Sequence, residues 1–154
     1  MIKLLDENYI DQIVNIRYLM QFEELNVNLD LLKQNEKQLK EKTKIYLQNN
    51  LNKNLYVFGY ILDNKIIATA SLLIHENYPS FNNLEGKKGR ISTVFTIKDY
   101  RHQGYQKKVL KELLLAAKKL NLNSVKVNCN NPIAINIYKS LGFIETKNTF
   151  KINL

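Results

Sequence analysis

The sequence contains very little cysteine and histidine. Cys129 is the only cysteine among 154 residues, and His75 and His102 are the only histidines. A single cysteine excludes an internal disulfide and a zinc site built from cysteines, and two histidines leave little material for a histidine metal cluster. We therefore expect no metal. The ordinary fate of Cys129, at the end of an apolar run, is burial as a small hydrophobic side chain.

Long apolar runs are also absent. The longest, from about Ile66 to Ile74, contains Thr and Ser and falls well short of the roughly 20 residues that cross a bilayer. At the N-terminus, Asp6 and Glu7 come before any apolar run long enough for a signal peptide. The sequence therefore predicts a cytoplasmic protein with no membrane partner.

Acidic residues are outnumbered by basic ones. The chain has 23 Lys and Arg against 14 Asp and Glu, a net charge of +9. This excess favours an anionic partner, whether nucleotide, nucleic acid or membrane surface, without choosing among them. Because 45% of the residues are apolar and no linker interrupts the chain, residues 1–154 are predicted to form one domain with a single core.

The predicted elements alternate between strand and helix. Apolar periodicity and turn-forming residues predict strands at 2–5, 55–62, 66–75, 90–97, 124–129, 143–145 and 148–152, and helices at about 7–24, 30–49, 104–120 and 132–141. Asp63-Asn64-Lys65 predicts a tight turn that makes the second and third strands a hairpin. The strand, helix, strand order after residue 90 implies a parallel pair with a right-handed crossover. Open α/β sheets bind ligands at the carboxyl end of such strands.

The most informative stretch runs from Val94 to Gln106, where a strand passes through a charged turn into the best-supported helix. The first N–H groups of a helix lack partners inside the helix, and the helix dipole places partial positive charge there. Gly104 has no Cβ, so the backbone can lie close to a bulky anion. These features predict a phosphate site at the start of this helix.

Two motifs follow one another in the C-terminal half. The first is Arg101-x-x-Gly104-x-Gln106, after a strand and at a helix start, and the second is Asn131-x-x-Ala134-x-x-x-Tyr138-x-x-x-Gly142-Phe143. The first is similar to the pyrophosphate loop of the GNAT superfamily of acetyl-CoA-dependent N-acetyltransferases, and the second matches that family's carboxy-terminal motif. The resemblance covers nearly the whole chain. It implies one α/β (α+β) domain, with a mixed, mostly antiparallel central sheet of about six to seven strands flanked by about four helices.

The resemblance also implies an activity and a set of site residues. The activity is transfer of an acetyl group from acetyl-CoA to a primary amine of a small molecule or peptide, by direct attack in a ternary complex. The strand before the loop is implied to hold the pantetheine arm and thioester, and the loop to hold the pyrophosphate. Asn131 is implied to contact the cofactor, and otherwise caps the helix that Pro132 begins. The implied cofactor-binding residues are Val94, Phe95, Thr96, Arg101, His102, Gln103, Gly104, Tyr105, Gln106, Lys107 and Asn131.

Tyr138 is the predicted catalytic residue. The leaving group of the reaction is a thiolate, and a phenol with a reference pKa of about 10 can donate a proton or a hydrogen bond to it. Packing on the apolar face of a helix is the ordinary alternative for such an aromatic residue. No general base is chosen: Ser92 and Thr93 can only order water, and the flanking loops offer Glu23, Glu24, Glu76, Glu85 and His75.

The sequence leaves two alternative functions, the acceptor and the oligomeric state undecided. Gln106 stands where the family has Gly or Ala, and would crowd the cofactor unless its side chain turns away, so a catalytically degenerate CoA-binding sensor is an alternative. A basic nucleic-acid-binding domain is the least favoured, because the aromatic residues do not interleave with basic ones. The sequence identifies neither the acceptor, for which Tyr9, Tyr18, Phe22 and Tyr78 are candidate lining residues, nor whether the chain forms a homodimer.

Overall fold

A five-stranded sheet with helices on both faces organises the chain. The computed structural model describes residues 1–24, 29–146 and 152–153. Its elements are β1 (Ile2–Leu4), α1 (Ile10–Glu24), α2 (Leu29–Asn50), β2 (Leu55–Leu62), β3 (Lys65–Glu76), β4 (Lys87–Thr96), α3 (Tyr105–Lys119), β5 (Val125–Val127) and α4 (Pro132–Ser140). Short 3-10 turns at Glu7–Tyr9 and Lys98–Tyr100 precede α1 and the loop before α3. No helix among the described residues is long and apolar enough to cross a membrane.

The strands lie side by side in chain order. β1 to β4 are antiparallel to their neighbours, and β5 runs parallel to β4. The turn between β2 and β3 places Asp63 and Asn64 in the left-handed region, with φ of 46° and 59°. These angles are those of the turns that match the twist of a hairpin, and Asp and Asn tolerate them well. The predicted hairpin is confirmed.

The described part of the sheet has fewer strands than predicted. The described residues form five strands rather than six or seven, and the predicted strand at 143–145 is wrong, since residues 143–146 form no strand. Phe143 instead closes the end of α4: its N–H donates to the Tyr138 carbonyl, and that of Gly142 donates to Lys139. This is the pattern of a Schellman motif, and Gly142 supplies the left-handed residue, with φ of 90°. The other predicted strand, at 148–152, lies outside the described residues except for residue 152.

The sheet separates two apolar clusters. α1 and α2 cover one face, where the buried residues include Ile13, Met20, Leu47, Val57 and Phe95. α3 and α4 cover the other face, where they include Leu72, Ile91, Val109, Leu113 and Tyr138. The helical period predicted for 104–120 matches the buried side of α3.

β4 contains a bulge near its carboxyl end. Thr69 of β3 pairs with Phe95, whereas Ser71 pairs with Ser92, so two steps along β3 correspond to three along β4. Thr93 lies inside the bulge and has a φ of 50°, which is uncommon for a β-branched residue. The extra residue shifts every side chain after it to the opposite face. Ile91 therefore packs under α3, whereas Phe95, four residues later, packs under α1.

Candidate active site

The loop from Arg101 to Gly104 presents a row of unpaired backbone donors. His102 and Gly104 have φ of 62° and 78°, which turns the backbone sharply into α3. The six consecutive N–H groups from His102 to Lys107 have no acceptor among the described residues. Left-handed turns and helix starts both concentrate partial positive charge on such groups. The loop therefore has the chemistry of an anion-binding site.

Gly104 leaves the space in front of these donors open. A Cβ built on Gly104 would meet no atom within 4 Å. The chain's own packing therefore does not demand a glycine here, although the left-handed φ favours one. A phosphate group approaching the N–H donors would occupy this space, so the residues of the loop fit the pyrophosphate of a coenzyme A molecule.

The edge of β4 toward β5 is open along its second half. The parallel pairing of β4 and β5 covers only three residues and ends at Ile91 and Val127. From Ser92 onward, the backbone groups of β4 that point away from β3 have no strand partner in the described part of the chain. An extended ligand can pair with such an edge as an added strand would. Val94, Phe95 and Thr96, predicted to bind the pantetheine arm, lie along this open segment.

Arg101 is turned back toward the body of the protein. Its Nε donates to the carbonyl of Thr96 at 2.9 Å, and its Nη2 lies 2.5 Å from Oε2 of Glu23 in α1. The guanidinium also lies 5.5 Å from the centre of the Phe95 ring. These contacts tie the loop to β4 and α1. The resemblance implies that Arg101 binds the cofactor, and these contacts show that Arg101 also positions the loop.

The side chain of Gln106 points away from the loop. Its Oε1 accepts a hydrogen bond from the Thr96 hydroxyl at 2.9 Å, and its Nε2 donates to the carbonyl of Thr69 at 3.0 Å. The Thr69 hydroxyl in turn donates to the carbonyl of Thr93, inside the bulge, at 3.1 Å. Gln106 thus links α3 to both central strands, and its N–H still faces the loop. The crowding expected from a long side chain at this position does not arise.

The remaining loop residues surround this arrangement. His102 and Gln103 are exposed, and the side-chain amide of Gln103 donates to the carbonyl of Asp99 at 3.2 Å. The Tyr105 ring lies between two other rings, 4.5 Å from Tyr60 and 6.4 Å from Tyr100. Lys107 is half-buried.

Tyr138 has a buried ring and an accessible hydroxyl. Its side chain is 6% exposed, and its ring packs against Phe143 with the centroids 5.5 Å apart. Every buried side-chain polar atom of the described residues has a hydrogen-bond partner, whereas the Tyr138 hydroxyl has none among them. This hydroxyl must therefore reach the surface. Burial, reinforced by the electrostatic effect of the nearby Cys129, raises the pKa of Tyr138 well above its usual value of 10.

Asn131 caps α4. Its Oδ1 accepts hydrogen bonds from the N–H groups of Ile133, at 2.9 Å, and Ala134, at 3.3 Å. Pro132 occupies the first turn, where a missing N–H has no cost. The capping role weighed for Asn131 from sequence is present in the structure. Its side-chain Nδ2 has no acceptor among the described residues and stays available for a ligand.

A cleft of about 460 Å³ opens on the α1 and α2 face of the sheet, and we call it the α1–α2 cleft. It reaches the bulge of β4. Its polar lining residues are Arg17, Lys42, Thr43, Tyr46, Ser71, Ser92 and Thr93. Arg17, Lys42 and Ser71 could not be predicted from sequence, because nothing in their local patterns distinguishes them from solvated or core positions.

The candidate acceptor residues from the sequence analysis do not line this cleft. Tyr78 is 97% exposed, Phe22 is also exposed, and the Tyr18 hydroxyl donates to Glu36 at 3.0 Å. Tyr9 packs against the apolar cluster under α1 and α2.

The candidate bases lie elsewhere as well. Glu23 pairs with Arg101, and Glu85 is exposed on the loop before β4. His75 and Glu76 line a second cleft, of about 670 Å³, at the opposite end of β4. The side chain of Glu24 lies outside the described part of the structure. Among the described residues, no group of three or more His, Cys, Asp or Glu is placed to hold a metal ion.

The chain belongs to the acetyltransferase (GNAT) family, which matches residues 21–143. A predicted acetyltransferase from Clostridium acetobutylicum, solved with acetyl-CoA, is 25% identical; the match covers 99% of this chain and 95% of that one, with a TM-score of 0.84.

Two further structures share the fold at lower identity. An aminoglycoside acetyltransferase from an uncultured soil metagenomic sample, solved in complex with sisomicin, is 22% identical, with a TM-score of 0.75 over 100% of this chain and 95% of that one. Glucosamine-6-phosphate N-acetyltransferase from Arabidopsis thaliana is 18% identical, with a TM-score of 0.71 over 99% and 97%. No curated protein sequence gives a significant match.

Proposed function

We propose that this protein is an N-acetyltransferase that moves an acetyl group from acetyl-CoA to a primary amine of a small molecule or peptide, by direct attack in a ternary complex. One observation carries this proposal. The open edge of β4 leads into the unpaired donors of His102–Lys107, and the bulge of the same strand borders the α1–α2 cleft. A thioester along that edge and an amine in that cleft would meet at the bulge.

Each part of the loop has a defined task in this proposal. The N–H groups of His102–Lys107 bind the pyrophosphate, and the backbone of Val94, Phe95 and Thr96 holds the pantetheine arm. Arg101 and Gln106 fix the loop against the strands through the hydrogen bonds described above. Asn131 contacts the cofactor through its Nδ2 while its Oδ1 caps α4. We also propose that the protein works in the cytoplasm.

Tyr138 acts on the leaving thiolate. Its raised pKa keeps the phenol protonated at neutral pH, so the hydroxyl is always ready to donate. A thiol has a reference pKa of about 8.5, which lies below that of the phenol, so complete proton transfer from Tyr138 to the thiolate is uphill. The hydroxyl therefore stabilises the developing thiolate mainly by a hydrogen bond, and solvent supplies the final proton.

The amine loses its proton through water in this scheme. A primary amine has a reference pKa of about 10.4 and is protonated at neutral pH. No carboxylate or imidazole among the described residues lines the α1–α2 cleft. Its hydroxyl groups, from Ser71, Ser92 and Thr93, can order water molecules that carry the proton to solvent.

Acetyl-CoA binding and turnover test this proposal in sequence. Acetyl-CoA at about 100 times its dissociation constant should stabilise the protein by about 2.7 kcal/mol, measured as a thermal shift. Thiol release with a panel of amines, and mass spectrometry of the products, then detects N-acetylation. Binding without thiol release from any amine supports the sensor alternative. Absence of a thermal shift, together with salt-sensitive binding of DNA or RNA, supports the nucleic-acid alternative.

The variant Tyr138→Phe tests the catalytic role of Tyr138. Tyr138→Phe removes only the hydroxyl and should slow turnover by roughly 10- to 100-fold, while acetyl-CoA affinity stays unchanged. Tyr56→Phe is the matched control, because the Tyr56 hydroxyl donates to the Lys53 carbonyl, away from the loop. Unchanged turnover in Tyr138→Phe would refute the catalytic role.

A further inference from the structure

We infer that the amine acceptor carries a negatively charged group, a carboxylate or a phosphate, which Arg17 binds in the α1–α2 cleft. This inference rests on the proposed function, because it names the class of amine that the cleft takes. It adds one specificity-determining residue, Arg17, to a reaction whose other parts lie around the loop and the bulge.

Arg17 carries an unpaired charge in a half-buried position. It makes no hydrogen bond or ion pair with any residue that the structure describes. Three cations of neighbouring elements are paired, Arg101 with Glu23, Lys40 with Glu36 and Lys44 with Asp11, and the other lysines of α2 are exposed to water. Withdrawing a charge from water without a partner is unfavourable, so an unpaired guanidinium on a cleft wall is best explained by an anion that binds there.

The rest of the cleft leaves this positive charge uncompensated. Lys42, exposed on α2, adds a second cation to the lining. No Asp or Glu among the described residues lines the cleft. The potential inside the cleft is therefore positive, which attracts anions and repels polycationic amines.

Serine and threonine side chains form the floor of the cleft next to the bulge. Ser71 and Ser92 are direct partners across β3 and β4, and Thr93 follows at the bulge. The Ser71 side chain has no hydrogen-bond partner among the described residues although the residue is only 3% exposed, so its hydroxyl opens into the cleft. The amine would lie over these hydroxyls, beside the bulge, and the anionic group would reach Arg17. A volume of about 460 Å³ suits a compact molecule.

Two matched pairs of amines test the inference. O-Phosphoethanolamine against ethanolamine isolates a phosphate, and β-alanine against its amide isolates a carboxylate. Binding of each to the protein saturated with CoA is measured by calorimetry. We expect the charged member of at least one pair to bind about tenfold more tightly, as a charge-assisted contact would provide. The pair that shows the preference distinguishes phosphate from carboxylate, and added salt should reduce it.

Variants of Arg17 assign that preference. Arg17→Gln should bring the two members of the pair to equal affinity, and Arg17→Lys should keep part of the preference. Lys42→Gln should reduce it less, because Lys42 is exposed. Lys37→Gln is the matched control: it removes the same charge from an exposed position of α2 that does not line the cleft. Since Arg17 makes no hydrogen bond or ion pair among the described residues, Arg17→Gln should also keep its unfolding temperature and its acetyl-CoA affinity.

The outcomes separate this inference from the proposed function. A wild-type protein that binds neither charged amine more tightly, or an Arg17→Gln variant that keeps the preference, overturns the inference even if neutral amines are acetylated. Conversely, a preference that depends on Arg17 stands even if no amine releases thiol, in which case the acetyltransferase activity fails and an anionic ligand remains.

Discussion

The helices α3 and α4 follow neighbouring parallel strands but begin in opposite ways. At the start of α4, Asn131 accepts two backbone N–H groups and Pro132 removes a third. At the start of α3, Gly104 has no side chain to offer, and six N–H groups have no acceptor among the described residues. A cap contributes about 1 kcal/mol to a helix, so α3 forgoes stability that α4 retains. This difference supports the proposal that the start of α3 is left open for a ligand, whereas the start of α4 is closed by a cap.

Substitution of Gly104 should have the largest effect. Gly104→Ala places a Cβ in the open space before the donors, and losing two charge-assisted hydrogen bonds of about 1.5 kcal/mol each corresponds to about 100-fold in acetyl-CoA affinity. Calorimetric titration measures this. Gly142→Ala is the control, since Gly142 has a similar positive φ and equally open surroundings but ends α4. Both variants should lose about 1 kcal/mol of stability; an equal loss of affinity in both would contradict the assignment.

Two variants of Asn131 distinguish its capping of α4 from its proposed contact with the cofactor. Asn131→Ala should lower the free energy of unfolding by about 1 kcal/mol, whereas Asn131→Ser keeps a capping oxygen and most of that stability. Both variants lack the Nδ2 donor, so both should lose up to about tenfold in acetyl-CoA affinity. Urea denaturation and calorimetry give the two quantities. If affinity followed stability, with Ser restoring both, the direct contact proposed for Asn131 would be excluded.

A variant of Gln106 tests whether its side-chain hydrogen bonds hold the uncapped start of α3 against the strands. Gln106→Leu removes the hydrogen bonds to Thr96 and Thr69 and should lower the free energy of unfolding by about 1–2 kcal/mol. Acetyl-CoA affinity should change little, because the backbone donor remains. Gln103→Leu, which loses one exposed hydrogen bond to Asp99, is the control and should cost only a few tenths of a kcal/mol. Equal losses in urea denaturation would show that the link between helix and strands is unimportant.

The smallest effect at neutral pH concerns Tyr138, on the capped helix. Because its pKa is raised in the folded protein, the unfolded chain releases this proton first as the pH passes about 10. The wild type should therefore lose stability above that pH, while Tyr138→Phe lacks this loss. The difference in unfolding free energy between the two proteins should be constant below about pH 9. At higher pH, the unfolding free energy of the wild type should fall relative to that of the variant. A pH-independent difference would mean that the phenol is not perturbed.

The sequence predicted what depends on local pattern. The apolar period of α3, the Asp63-Asn64 turn and the glycine at a helix start all reflect local backbone and packing preferences, and the structure contains each of them. The bulge in β4 could not be predicted, because it breaks the local alternation on which a prediction of strand faces depends. Ile91 and Phe95 are four positions apart, so simple alternation places them on one face of the strand, whereas they pack on opposite faces.

Distant contacts account for most of the remaining errors. Arg101 pairs with Glu23, 78 residues earlier, and no local pattern reveals that its charge is shared. Phe143 lies in a stretch that alternates like a strand but closes α4 through its backbone and packs on Tyr138. The unpaired state of Arg17 can be recognised only when the neighbouring elements are in place.

The bulge at Thr93 reverses the two faces of β4. Before it, Ser92 faces α1 and α2 beside the cleft and Ile91 packs under α3; after it, Phe95 packs under α1 and Val94 packs toward α3. Ser92 and its partner Ser71 therefore belong to the surface of the cleft and not to the packing under α3. Under the proposed function, substitutions at these two serines would change the choice of acceptor and leave the loop that follows β4 as it is.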